Sequence, residues 1–170
     1  MRELDEALVL DVWDVLCAWG PERSQAEAQA FIDTQPHLVA LAEAVMEEFD
    51  TEAQKAAFGL LFLLAKVWEV HRGEALGPVS RERVGQAYEG TLRWMDRGEG
   101  ADERFLARSG EFPQPHLIPY LITRFYQGAG GNDDYEAEIR GNLFLVLKAA
   151  ADALGAVGAG PAAGDCTDAR

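Results

Sequence analysis

Apolar residues recur near the start of the chain at intervals of four and three, as Leu8, Val12, Leu16 and Trp19. Glu6, Asp11 and Asp14 lie off that stripe. This spacing matches the 3.6-residue period of an amphipathic helix. Gly20-Pro21 stops the first helix, and Ser24-Gln25-Ala26-Glu27 reads as a capping box that starts a short second helix toward Ile32. Thr34-Gln35-Pro36 opens a third, because a proline at the first helical position has no N–H bond to lose. Thr51-Glu52-Ala53-Gln54 repeats the capping pattern and leads into the most apolar segment, which runs to about Arg72.

Gly73 and Gly77-Pro78 interrupt the helical pattern, after which the order of elements repeats. A helix through Val84, Tyr88, Leu92 and Met95 ends at Gly98, and a short helix follows near residues 102–108. Gln114-Pro115 starts another, and the glycine-rich stretch 128–132 separates it from a last apolar helix over 134–154. No segment sustains the two-residue alternation of a half-buried strand, so no strand is predicted. The expected fold is all-α: a compact multi-helix bundle in one domain over 1–154. The Gly/Ala/Asp-rich tail 155–170 has nothing to bury and is expected to be disordered.

The repetition extends to residue identity. Gln35-Pro36-His37-Leu38 recurs as Gln114-Pro115-His116-Leu117, and Gly59-Leu60-Leu61-Phe62-Leu63-Leu64-Ala65-Lys66 recurs as Gly141-Asn142-Leu143-Phe144-Leu145-Val146-Leu147-Lys148. The two matches keep one order and nearly one offset, and Trp19 and Trp94 extend the correspondence. The reading is an internal duplication, with unit one over 1–76 and unit two over 77–154, related by an approximate two-fold axis. Glycine inside an apolar helix costs up to about 1 kcal/mol relative to alanine. Its presence in both copies predicts that the helices over 52–72 and 134–154 form the centre and cross at Gly59 and Gly141. Independent packing of each glycine is the alternative.

Charge narrows the function classes. Fifteen basic against 29 acidic residues give a net charge of −14, which opposes a phosphate backbone, and no Lys/Arg run offers a local patch. Nucleic acid is therefore not an expected partner. Residues 1–75 hold 15 acids and 5 bases, so most of the excess lies in the first half. Cys17 and Cys166 cannot build a disulfide framework or a cysteine metal site. The acidic N-terminus lacks the features of a signal peptide, and the longest apolar run, 56–65, is too short to span a bilayer. No membrane association and a cytoplasmic location are expected, and no cofactor is implied.

Few polar residues stand out as candidate chemistry. His37 and His116 match between the copies, each in the first turn of a helix. Brought together by pseudo-symmetry, with Asp33 or Glu111 nearby, they would make a divalent metal or ligand site. The competing reading is helix capping, and no His/Glu pair has the three- or four-residue spacing of metal-binding helices. Lys66 and Lys148 also match. Each is either an anion site or a lysine near a helix C-terminus that reaches solvent. Cys17 has acidic neighbours that disfavour a thiolate, and Ser24, Ser80 and Ser109 read as caps and turns. Trp13, Trp19, Trp68 and Trp94 read as core at helical spacing, or as interface anchors. No enzymatic constellation emerges. The leading expectation is a protein-interaction or regulatory module that binds a partner or self-associates. The alternative is a small-molecule or metal-binding protein that uses the paired histidine segments.

Overall fold

A computed structural model describes residues 4–97, 116–128 and 132–155. Among these there are seven helices and no strand. They are α1 (Glu6–Cys17), α2 (Pro21–Thr34), α3 (Pro36–Met46), α4 (Thr51–Arg72), α5 (Arg81–Arg97), α6 (Leu117–Phe125) and α7 (Asp133–Gly155). None is long and apolar enough to cross a membrane. The short helix expected near 102–108, the tail from residue 156 on, and Gln114, Pro115, Glu111 and Cys166 lie outside the described residues.

Helix starts follow local chemistry, with two shifts from expectation. Asp50, rather than Thr51, caps α4, its carboxylate accepting the Ala53 N–H at 2.9 Å. The capping box at Ser24 is not used, because α2 already begins at Pro21 with proline in its first turn. Asp5 and Ser80 cap α1 and α5 by accepting the N–H groups of Leu8 and Arg83. Gly73 ends α4 in the left-handed conformation, with φ of 73°, which few residues other than glycine adopt cheaply.

The core is centred on α4 and α7. Leu60, Leu61 and Leu64 on one, and Ile139, Leu143, Val146 and Leu147 on the other, are buried. The two helices run parallel and in register, as both ends show. At the N-terminal end the Tyr135 hydroxyl donates to Asp50 Oδ2 at 2.7 Å. At the C-terminal end the Arg72 guanidinium donates to the carbonyls of Leu154 and Gly155 at 2.7 and 3.3 Å. Arg72 thereby satisfies carbonyls that the end of α7 would otherwise leave unpaired. Around this pair, α1 and α3 pack on α4, and α5 and α6 pack on α7. Helices α3 and α6 also each reach the other central helix. Both lead at their C-terminal ends into the start of a central helix, so those ends stand near the same end of the pair. Helix α2 is held more lightly: its one buried residue, Phe31, packs edge-on against Phe58 and Phe62 of α4.

The expected crossing at Gly59 and Gly141 is not present. Both glycines are exposed, and a Cβ added to either would meet nothing within 4 Å. The close faces of the central pair are built from leucine, valine and alanine, and the glycines point away from them. Alanine at either position should therefore stabilise the chain by roughly 0.5–1 kcal/mol, by removing the conformational entropy of a helical glycine. A lower midpoint in thermal unfolding for Gly59→Ala or Gly141→Ala would contradict this placement.

Candidate functional site

The paired Gln-Pro-His-Leu segments were the most pointed polar feature of the sequence. Pro36 begins α3, so His37 lies in its first turn and is half-buried, whereas His116 immediately precedes α6, makes no side-chain capping bond and is exposed. The two histidines thus stand at the starts of two different helices, α3 and α6. Among the described residues no three His, Cys, Asp or Glu side chains gather as a metal site would require. Asp33, a carboxylate near His37 in sequence, accepts from the Gln29 side chain at 2.9 Å.

The residue of this segment with long-range contacts is Gln35, which is buried. Its side-chain amide donates to the Gly77 carbonyl at 2.8 Å, and its Oε1 accepts the Val79 N–H at 3.1 Å. One side chain thus binds the α4–α5 connection through both of its polar ends. Partners 42 and 44 residues away carry no local sequence signal.

The matched lysines are both engaged by carboxylates of the chain itself. Lys66 Nζ lies 3.0 Å from Glu27 of α2 and 2.9 Å from Glu69 of α4. Burial pulls the Lys66 ammonium down, but the hydrogen bonds and charges of Glu69 and Glu27 outweigh it and hold its pKa above the ordinary value. Lys148 is far more enclosed, with a side chain only 5% exposed. It pairs with Asp152 at 2.7 Å and lies 5.1 Å from the centre of the Trp94 ring. The snorkelling expected of both lysines therefore fits the half-buried Lys66 and fails for Lys148, because α5 covers α7 at that point.

Two tyrosines near the start of α7 are similarly structural. Asp50 is held below the ordinary carboxylate range by the Ala53 N–H and then by the Tyr135 hydroxyl. Burial, followed by the charge of Glu136, pushes the Tyr126 phenol up to about 12. Both tyrosines stay protonated at neutral pH and offer no nucleophile.

What remains is surface shape. Trp68 and Trp94 are buried as expected, and Trp19 is half-buried, but Trp13 on α1 is 39% exposed. Its ring lies 4.7 Å from that of Phe125 on α6, and Phe125 in turn meets Tyr120 edge-on. Leu10, 36% exposed, and the exposed Cys17 flank Trp13 at helical spacing. The result is an apolar patch across the seam between α1 and α6, rimmed by Glu6 and Asp14. A second concavity, of about 860 Å³, lies between α3 and α4 over Val39, Met46 and Phe58, with Glu43, Glu47 and Lys55 among its lining residues. The connection 73–79 buries Leu76 and Val79 and leaves its other residues exposed. Compared with family models, curated proteins and solved structures, the chain matches none of them.

Proposed function

We propose that this chain is a protein-interaction module, folded as one domain from two duplicated units, with its contact surface at the seam of α1 and α6. The observation that carries the reading is Trp13, a large aromatic left two-fifths exposed on the outer flank of α1 and backed by Phe125. Contiguous exposed apolar surface of this kind marks contact sites, and tryptophan is enriched among the residues that dominate binding energy.

Several correspondences support the duplication. Asp5 and Ser80, 75 positions apart, cap α1 and α5 in the same way. Asp50 and Asn132, 82 positions apart, cap α4 and α7 by accepting the N–H three residues on. Trp19 meets Phe62 at 6.5 Å and Trp94 meets Phe144 at 5.8 Å, with Lys66 and Lys148 each over a ring of its own cluster. Exchanging α1 with α5, α3 with α6 and α4 with α7 turns the main packed pairs into one another. The units correspond to 1–76 and 77–154. Under this exchange Tyr88 takes the place of Trp13 and Gly85 that of Leu10, so the large apolar flank of α1 has no counterpart on α5.

The test is affinity capture from a native lysate with the wild-type chain and the Trp13→Ala variant. The substitution removes a partly exposed ring, so folding stability should fall by about 1 kcal/mol or less. A protein retained by the wild type and lost by Trp13→Ala supports the reading. Identical capture by the two chains would contradict it.

A further inference from the structure

The occupant of the α1–α6 patch can be specified more closely from its shape and charge, an inference that rests on the interaction reading above. We propose that the patch receives a basic, amphipathic helical segment of a partner protein, with Trp13 as the anchor. Leu10, Trp13 and Cys17 follow one another at three and four residues, so they form a stripe about two turns, or roughly 10 Å, long. Phe125 and Tyr120 widen it on the α6 side. Such a stripe suits a helix that presents apolar residues at intervals of three and four. Strand addition has no template here, since the described residues contain no sheet edge.

The rim decides the sign of the partner. On helix α1 the stripe is bordered by Glu6 and Asp14, and the helix has no basic residue. Across the seam α6 contributes one base, Arg124, which lies 5.7 Å from the Phe125 ring. The partner's flanking charges are therefore positive. A second copy of this chain fits poorly. A two-fold dimer through the patch would set α1 against α1, with Glu6 and Asp14 of each facing those of the other and no base on either helix, in a chain already at −14. An anionic lipid surface is disfavoured by the same charges.

The test titrates the full chain, at physiological salt, into a labelled peptide of about 18 residues, or roughly five turns, built from leucine and lysine in helical register. The same pattern in leucine and glutamate serves as control, and fluorescence anisotropy is the readout. Binding of the lysine peptide is expected, and no binding of the glutamate one. Trp13→Ala should weaken binding at least about tenfold, as should Glu6→Gln combined with Asp14→Asn, a scale of about 1.4 kcal/mol. Glu47→Gln with Glu48→Gln, an acidic pair on another face, should leave affinity within about twofold. These expectations together separate a docked helix from diffuse attraction to an acidic protein.

Equal affinity in the Trp13→Ala variant would overturn the proposal, as would failure of the lysine peptide to bind. Equal binding of the glutamate peptide, still lost in Trp13→Ala, would overturn the basic partner while leaving the patch as a contact surface. A Trp13-dependent dimer in light scattering, or Trp13-dependent sedimentation with anionic vesicles, would replace the partner with a second copy or a membrane. Failure of the interaction reading itself shows instead in the lysate capture, where no retained protein would depend on Trp13.

Discussion

Asp152→Ala is expected to destabilise the chain by about 3 kcal/mol, whereas Lys148→Met should cost about 1 kcal/mol or less. The asymmetry follows from what each change leaves behind. Lys148 is almost wholly enclosed between α7 and α5, with its ammonium on Asp152 and near the Trp94 ring. Removing the carboxylate takes the 2.7 Å ion pair from a charge in a poorly solvated place, and breaking a buried pair by removing one partner typically costs several kcal/mol. Replacing the lysine by methionine removes the buried charge and keeps most of the volume, while the Asp152 side chain is 30% exposed and stays hydrated. Urea unfolding of both variants measures the difference. Equal losses would mean that the ammonium reaches solvent, as Lys66 partly does, and that α5 does not seal it.

The second large effect concerns Gln35. Its alanine variant should lose about 2 kcal/mol, because the buried Val79 N–H is left without its partner and the part-buried bond to the Gly77 carbonyl is lost as well. Gln35→Glu should not rescue it. A carboxylate still accepts from Val79 but sets negative charge against the Gly77 carbonyl. His37→Ala, two residues on, should change stability by about 0.5 kcal/mol or less. Thermal and denaturant unfolding of the three variants check the contrast. A His37 variant as damaging as Gln35→Ala would mean that the histidine, rather than the glutamine, holds the segment in place.

These residues show where the sequence was legible and where it was not. Helix placement followed from the apolar period, and the ends of α3, α4 and α7 fall within a few residues of expectation, because proline, aspartate and glycine act locally. The central role of α4 and α7 was legible from their nearly continuous apolar content. The glycines were misread although the clue was present. Gly59 shares its helical face with Lys66, two turns on, and a face that carries a lysine with two glutamates is turned outward. Trp13 was misread for a related reason. It lies about 100° from the Leu8, Val12 and Leu16 stripe, in line with Leu10 and Cys17, so α1 has two apolar flanks and only one can face α4. The Gln35 clasp and the depth of Lys148 were not legible at all. Both depend on elements distant in the chain, and side-chain type alone does not encode which helix will cover a given turn.

The functional account inherits this division. Three of the polar residues in the recurring segments hold the fold: Gln35 ties a connection, and Lys66 and Lys148 are paired with carboxylates of the chain itself. The feature left over is unmatched. Where unit one carries Leu10 and Trp13, unit two carries Gly85 and Tyr88. On the proposed reading, duplication supplies the packing and one diverged face supplies the contact.

A photo-crosslinking residue placed at Leu10, and in a separate variant at Ala44 on the rim of the α3–α4 groove, tests that assignment most directly. With each chain expressed in its own cells and irradiated, the account predicts a covalent adduct with a partner protein from position 10, lost when Trp13→Ala is added, and none from position 44. Adducts from position 44 alone, or from position 10 regardless of Trp13, would contradict it.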